Sequence, residues 1–339
     1  MSTQSSLPSH KRPLLSDEKP PLVAPGDLQF VLAVGFILGL RVLPASMRPR
    51  FLLHLSQRLG SAWYRSNMQD VRRVRNHLKI LFPGRWEDRE METIVRQQLS
   101  LTAWNFMTLN LIPTLSREQS AQLLPVEGMA HLDALRNEGR ATLLLGAHVG
   151  PYAYPVAAVL LAHDYPVREV GHARPRQGSS WLYRRLYWPR VAHTVAHLQV
   201  LNTLEGQQTE LLEIFREGQI LYLLPDQFYI LDKETPPSRH VMPVKFLGRK
   251  VNLETGGLRL AKRMGAGVLV VLPTKSQDTY CVSIEPIELP TTGLSPADLA
   301  EDLRVFMGRV EQCILERPYL WRDLRRADLM SRLGMENPA

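Results

Sequence analysis

The sequence predicts an α/β protein: a mixed, largely parallel sheet covered by helices, with an N-terminal membrane-anchoring helix ahead of it. Three observations predict this. From Val126 onward, short apolar runs alternate with helical stretches, the pattern of a sheet with helices on both faces. Runs such as "LYLLP" are apolar at nearly every position, which suits strands buried on both sides. Ahead of them, "LQFVLAVGFILGL", Leu28 to Leu40, is apolar all round rather than along one stripe.

Taken in order, residues 1–26 are rich in Ser, Pro and Lys without apolar periodicity, so they read as a disordered tail. Residues 27–45 hold the anchor. Its apolar run is shorter than the about 20 residues of a spanning helix and closes on Arg41, Pro44, Arg48 and Arg50. A full span, a shallow interfacial helix and a buried core helix therefore stay open. The basic flank favours a membrane on its cytoplasmic side, where anionic lipid holds arginine. No small-residue cleavage pattern follows the run.

Residues 46–125 form a helical segment. Phe51, Leu52, Leu55 and Leu59, then Val71, Val74, Leu78 and Leu81, recur at helical spacing. Between them "RRVRNHLK", Arg72 to Lys79, is either a solvated face or a basic surface for lipid phosphates. Residues 126–330 form the α/β domain, and 46–330 are expected to fold as one unit. "ATLLLG", "YPVREVG", "HLQVLN", "QILYLLPD", "HVMPVKFLG", "GVLVVLP" and "YCVSIEPIEL" read as strands. Helices are expected near Met129–Asn137, Pro151–Ala162, Gly206–Glu217, Leu253–Met264 and Pro296–Glu316. The more alternating strand Tyr280–Ile287 is expected toward an edge.

The 339 residues are 45% hydrophobic, enough for a sizeable core. A formal charge of +8 points to an anionic partner: phospholipid, nucleic acid or a phosphorylated group. No nucleic-acid-binding module is recognisable, and none is expected as a partner. Cys281 and Cys313 have no spacing that suggests a zinc site or a disulfide framework. His193 and His197 in "HTVAH" have helical one-face spacing, but Thr194 stands where a metalloprotease has Glu, and no metal is expected. No P-loop, dinucleotide fingerprint or nucleophile elbow is present, and no resident cofactor is expected.

In open α/β sheets, functional groups gather beyond the carboxyl ends of strands. His148 follows the run Ala141–Gly146 there, with Gly150 and Pro151 leading into a helix. It is either a reactive group or a packing histidine. Asp226 and Gln227 end "GQILYLLPDQ"; Asp226 either orients a histidine, binds a substrate hydroxyl or caps the turn after Pro225. Arg174 and Arg176 in "GHARPRQGSS" follow Val167–Val170 and suit a phosphate, unless they are a solvated basic loop.

In order and spacing these blocks resemble the bacterial lipid A acyltransferase family, the lauroyl/myristoyl acyltransferases of the lysophospholipid acyltransferase superfamily. An apolar anchor precedes "RRVRNHLKILFP". "VEGMAHLDALRNEGRATLLLGAHVG", "PDQ" at Pro225–Gln227, "KFLGRKVNLETGGLRLAKRMGAGVLVV" and "YLWRDLRR" at Tyr319–Arg326 then follow in the family's order. The resemblance runs from about Leu28 to Arg325. It implies a glycerol-3-phosphate-acyltransferase-like fold and an O-acyltransferase at the membrane. Such an enzyme moves a fatty acyl group from an acyl carrier protein or coenzyme A thioester to a hydroxyl of a lipid or glycolipid.

The family's motif is His, four residues, then Glu or Asp: the histidine takes the acceptor's proton and the carboxylate orients the ring. His148 matches the first position, and Ala153 stands at the second. No other histidine in the chain has an acid five positions on. Three explanations follow: Asp226, or a hydroxyl of Tyr152 or Tyr154, orients His148; the histidine acts alone on an already reactive thioester; or the chain is a non-catalytic lipid-binding or scaffold protein. The expected site is His148 and Asp226 as catalytic groups, with Gly150, Arg174 and Gln227 at the substrate.

Overall fold

The computed structural model describes residues 47–171, 179–201, 208–228, 240–274 and 280–335, with isolated earlier positions 21–23, 35, 39 and 44. Three helices come first: α1 (Arg48–Ser66), α2 (Met68–Leu81) and α3 (Asp88–Leu111). α3 starts sharply because the Glu87 side chain accepts from the backbone of Glu90, whose own carboxylate accepts from Glu87 N–H. α4 (Arg117–Ala121) leads into β1 (Val126–Glu127) and α5 (Met129–Asn137), then β2 (Thr142–Gly146), α6 (Tyr154–Ala162) and β3 (Val167–Glu169). A π turn (Tyr183–Tyr187) runs into α7 (Trp188–His197), followed by α8 (Gln208–Arg216) and β4 (Ile220–Leu223). The hairpin β5 (Val241–Phe246) and β6 (Arg249–Glu254) precedes α9 (Gly256–Arg263), β7 (Gly267–Thr274), β8 (Cys281–Pro286), α10 (Pro296–Glu316) and a short α11 (Leu329–Arg332).

Six strands form one sheet in the order β1-β8-β7-β2-β4-β3, and β5 pairs with β6 in a separate antiparallel ribbon. All neighbours in the large sheet run parallel except β7 and β8. Burial on both faces follows from the period of two. Leu143 and Leu145 join Leu221 and Val270 in one core with α2, α9 and α10. Leu144 joins Tyr222, Leu269 and Val271 in another with α1, α5 and α6. Truncating such a fully buried leucine to alanine costs about 2–5 kcal/mol. Helices from before Val126 thus share their apolar faces with the sheet.

The structure corrects three local expectations. "HLQVLN" is no strand: α7 runs to His197, and only Leu201 pairs, in a single bridge to Val170. Leu253 belongs to β6, and the helix after it starts at Gly256. The helix expected from Pro151 starts at Tyr154, because Ala153 has φ 60 and ψ −120, which no helix accommodates. β8 lies toward the edge, as expected, with only two-residue β1 outside it. The Leu28–Leu40 stretch falls, isolated positions apart, outside the described residues, and among those described no helix is long and apolar enough to cross a membrane. Both cysteines are buried and free.

Candidate active site

Strand register builds the site. β2 and β4 are parallel neighbours with Leu145 opposite Leu223. Each chain leaves its strand at the same end, and three residues further on stand His148 and Asp226. His148 Nδ1 lies 2.7 Å from Asp226 Oδ1, and His148 N–H donates to Asp226 Oδ2 at 2.7 Å. One carboxylate therefore fixes both the ring and the loop that carries it. Both side chains are buried. Burial pushes the Asp226 carboxyl up, but the His148 ring, its hydrogen bonds and the Arg322 guanidinium outweigh this and hold it below its ordinary value. With Nδ1–H donating to that carboxylate, Nε2 is the ring nitrogen left to accept a proton.

The His148 loop is clamped from its other side by the segment Leu320–Arg322. Gly150 N–H donates to Leu320 O at 2.8 Å, Arg322 N–H donates to His148 O at 3.0 Å, and Val149 bridges Trp321. Gly150 has φ 71, and a Cβ there would meet Pro273 carbons at 2.8 Å, so both conformation and space require glycine. The Tyr152 ring meets the His148 ring edge to face at 5.0 Å, and Arg322 Cζ lies 5.6 Å from the Tyr152 ring centre. Arg322 is paired with Asp323 at 2.6 Å. Burial lowers its pKa, but Tyr152, Asp323 and Asp226 raise it more, so the net shift is upward and the cation persists.

Ala153, where the family motif has its acid, is buried, and its N–H donates to the Tyr222 hydroxyl at 3.2 Å. Across the sheet from Tyr222, at the end of β3, stands Glu169. It is buried, its Oε2 has no hydrogen-bond partner among the described residues, and burial pushes its carboxyl up to about 8.

The structure thus brings His148, Asp226 and Gly150 together. Gln227 beside them is exposed. Arg174 and Arg176 lie outside the described residues. His193 and His197 lie on α7, and no group of three or more His, Cys, Asp or Glu able to hold a metal occurs among the described residues. Sequence reasoning missed Arg322, Tyr222 and Glu169. For Glu169 a signal existed: it ends a strand, the position that singled out His148. Arg322 reaches the site through backbone pairing that no local pattern announces.

A cavity of about 790 Å³ opens beside this pair, with Tyr152, Ala153 and Arg322 in its wall. No individual curated protein gives a significant match to the chain. A model of the family described as bacterial lipid A biosynthesis acyltransferases matches residues 17–326, a stretch that takes in the His148 loop, Asp226 and the clamping segment alike. By that match, over nearly its whole length, the chain belongs to the bacterial lipid A biosynthesis acyltransferase family, and its general activity is lipid acyl transfer.

Proposed function

We propose that the protein moves a fatty acyl group from an acyl carrier protein or coenzyme A thioester to a hydroxyl of a lipid or glycolipid, with His148 as general base and Asp226 as its orienting carboxylate. The observation that carries this reading is the double hydrogen bond from His148 to Asp226. Nε2 removes the acceptor's hydroxyl proton as its oxygen attacks the thioester carbonyl. The tetrahedral intermediate collapses, the C–S bond breaks, and the imidazolium returns its proton to the departing thiolate. Asp226 stabilises the imidazolium between these steps. It supplies the carboxylate that position 153 lacks.

Catalysis takes place at the cytoplasmic face of the inner membrane, where Leu28–Leu40 and its arginine flank hold the protein. The thioester is a substrate, and the chemistry asks for neither metal nor resident cofactor. The test is transfer of labelled acyl groups from each donor into host lipids by wild type and by His148→Ala. Transfer that disappears in the variant supports the assignment; equal transfer by both sinks the general-base role. Ala153 favours one second reading, a non-catalytic lipid-binding or scaffold protein on the same fold. No transfer by wild type from either donor into a full lipid extract would favour it.

A further inference from the structure

Acyl transfer to a hydroxyl puts negative charge on the thioester's carbonyl oxygen as the tetrahedral intermediate forms, and that oxygen calls for a hydrogen-bond donor already in place. In α/β-hydrolases the turn that carries the nucleophile supplies one from its main chain. The His148 loop has spent most of its own. His148 N–H donates to Asp226 Oδ2, Val149 N–H to Ala147 O at 2.7 Å, Gly150 N–H to Leu320 O at 2.8 Å and Ala153 N–H to the Tyr222 hydroxyl at 3.2 Å. Pro151 has no N–H to give.

Between residues 147 and 153 the chain carries only two polar side chains, those of His148 and Tyr152. Tyr152 is half-buried and stands in the cavity wall beside Arg322, with its ring edge to face against that of His148 at 5.0 Å. Burial pushes its hydroxyl's pKa up, and the charge and hydrogen bonding of Arg322 pull it down without cancelling the rise. Tyr152 thus stays a neutral phenol with a proton to share. A guanidinium only donates, so toward Arg322 the phenol oxygen is an acceptor, and its O–H is left for another partner. Arg322 is itself fixed, by its pair with Asp323 at 2.6 Å and by its N–H on His148 O at 3.0 Å. Base, phenol and guanidinium therefore share one frame.

We infer that Tyr152 is a further catalytic residue of the transfer, its hydroxyl donating to the thioester carbonyl oxygen while His148 Nε2 takes the acceptor's proton. This role rests on the acyl-transfer reading and adds to it the group that receives the developing charge. As the acceptor oxygen bonds to the carbonyl carbon, the C=O π pair moves onto the carbonyl oxygen, and the Tyr152 hydrogen bond tightens there without giving up its proton. When that pair returns, C=O re-forms, the C–S bond breaks, and the thiolate takes the proton from the imidazolium. A donor that binds the oxyanion more tightly than the ground-state carbonyl acts on kcat rather than on KM.

The test is steady-state transfer of labelled acyl groups, from acyl carrier protein and coenzyme A thioesters into host lipids, by wild type, Tyr152→Phe and His148→Ala. Tyr152→Phe keeps the ring against His148 and removes only the oxygen. Expected is a fall in kcat of about 10²–10³-fold, as for the loss of one oxyanion donor, with KM within a few-fold of wild type and an unchanged denaturant midpoint. Transfer by Tyr152→Phe within a few-fold of wild type, while His148→Ala is inactive, overturns the hydroxyl's role and leaves the base standing. A loss carried by KM alone makes Tyr152 a binding group and overturns the role as well. Equal transfer by wild type and His148→Ala, with kcat lost in Tyr152→Phe, overturns the base and keeps the phenol. No transfer by wild type overturns both.

Discussion

Asp226 grips His148 with both carboxylate oxygens, one on the ring nitrogen and one on the main-chain N–H, each at 2.7 Å. The pair is therefore a unit of loop geometry as well as of proton transfer. Asp226→Asn keeps the shape but has one acceptor oxygen where two are used. It should lower kcat by about three to four orders of magnitude, the loss seen when a histidine's orienting carboxylate is neutralised. KM should change little, since the acceptor pocket is untouched. Acyl transfer within a few-fold of wild type would show that Asp226 does not orient the base.

Gly150→Ala places a methyl group 2.8 Å from Pro273 on a residue with φ 71. It should destabilise the fold by about 1–3 kcal/mol. Activity should fall further than folded fraction alone explains, because the His148 loop must shift. Denaturant titration alongside transfer assays separates the two effects.

Ala153 is non-glycine at φ 60 and ψ −120. Ala153→Gly should relieve strain and raise stability by about 1 kcal/mol. Ala153→Glu, which writes the family motif back in, should destabilise, because it puts a long side chain on a buried residue held at φ 60 and ψ −120. Its rate should not rise, since Asp226 already occupies His148 Nδ1. A faster Ala153→Glu enzyme would mean that Asp226 is an incomplete substitute.

Glu169 sets a pH dependence of stability. Its folded pKa of about 8 lies above the ordinary 4.5. The native state thus holds a proton that the unfolded chain has released between these values. Its stabilising share is complete below about pH 4.5 and is lost as pH rises through 8. Glu169→Gln should flatten that part of the profile and, near pH 9, gain stability on the order of 4 kcal/mol. Denaturant midpoints from pH 5 to 9 test this; parallel profiles for the two proteins would refute it.

The parallel sheet was legible because its strands announce themselves: "TLLLG" carries three leucines in a row, and the structure buries all five residues. α10 was legible to its ends because Ser295, Pro296 and Asp298 write a capping box and a helix start into the sequence. The short run at Leu201 misled because β-branched and apolar residues after a helix read alike whether they pair once or six times. At the site, residues at strand ends were legible from topology alone, which is how His148 and Asp226 were singled out. That they meet depends on the Leu145–Leu223 register, a property of two distant segments. Arg322 was not legible for the same reason, since its place follows from a main-chain bond to His148.

That bond also bears on the order of events during synthesis. β2 and its loop leave the ribosome long before Leu320–Arg322, yet Gly150 N–H and His148 O find their partners only in that late segment. A nascent chain that has already paired β2 with β4 can hold the His148 ring and N–H on Asp226, while Gly150 N–H and His148 O still wait for their partners. The outer side of the histidine loop is thus completed by a segment made after both strands that carry the catalytic pair.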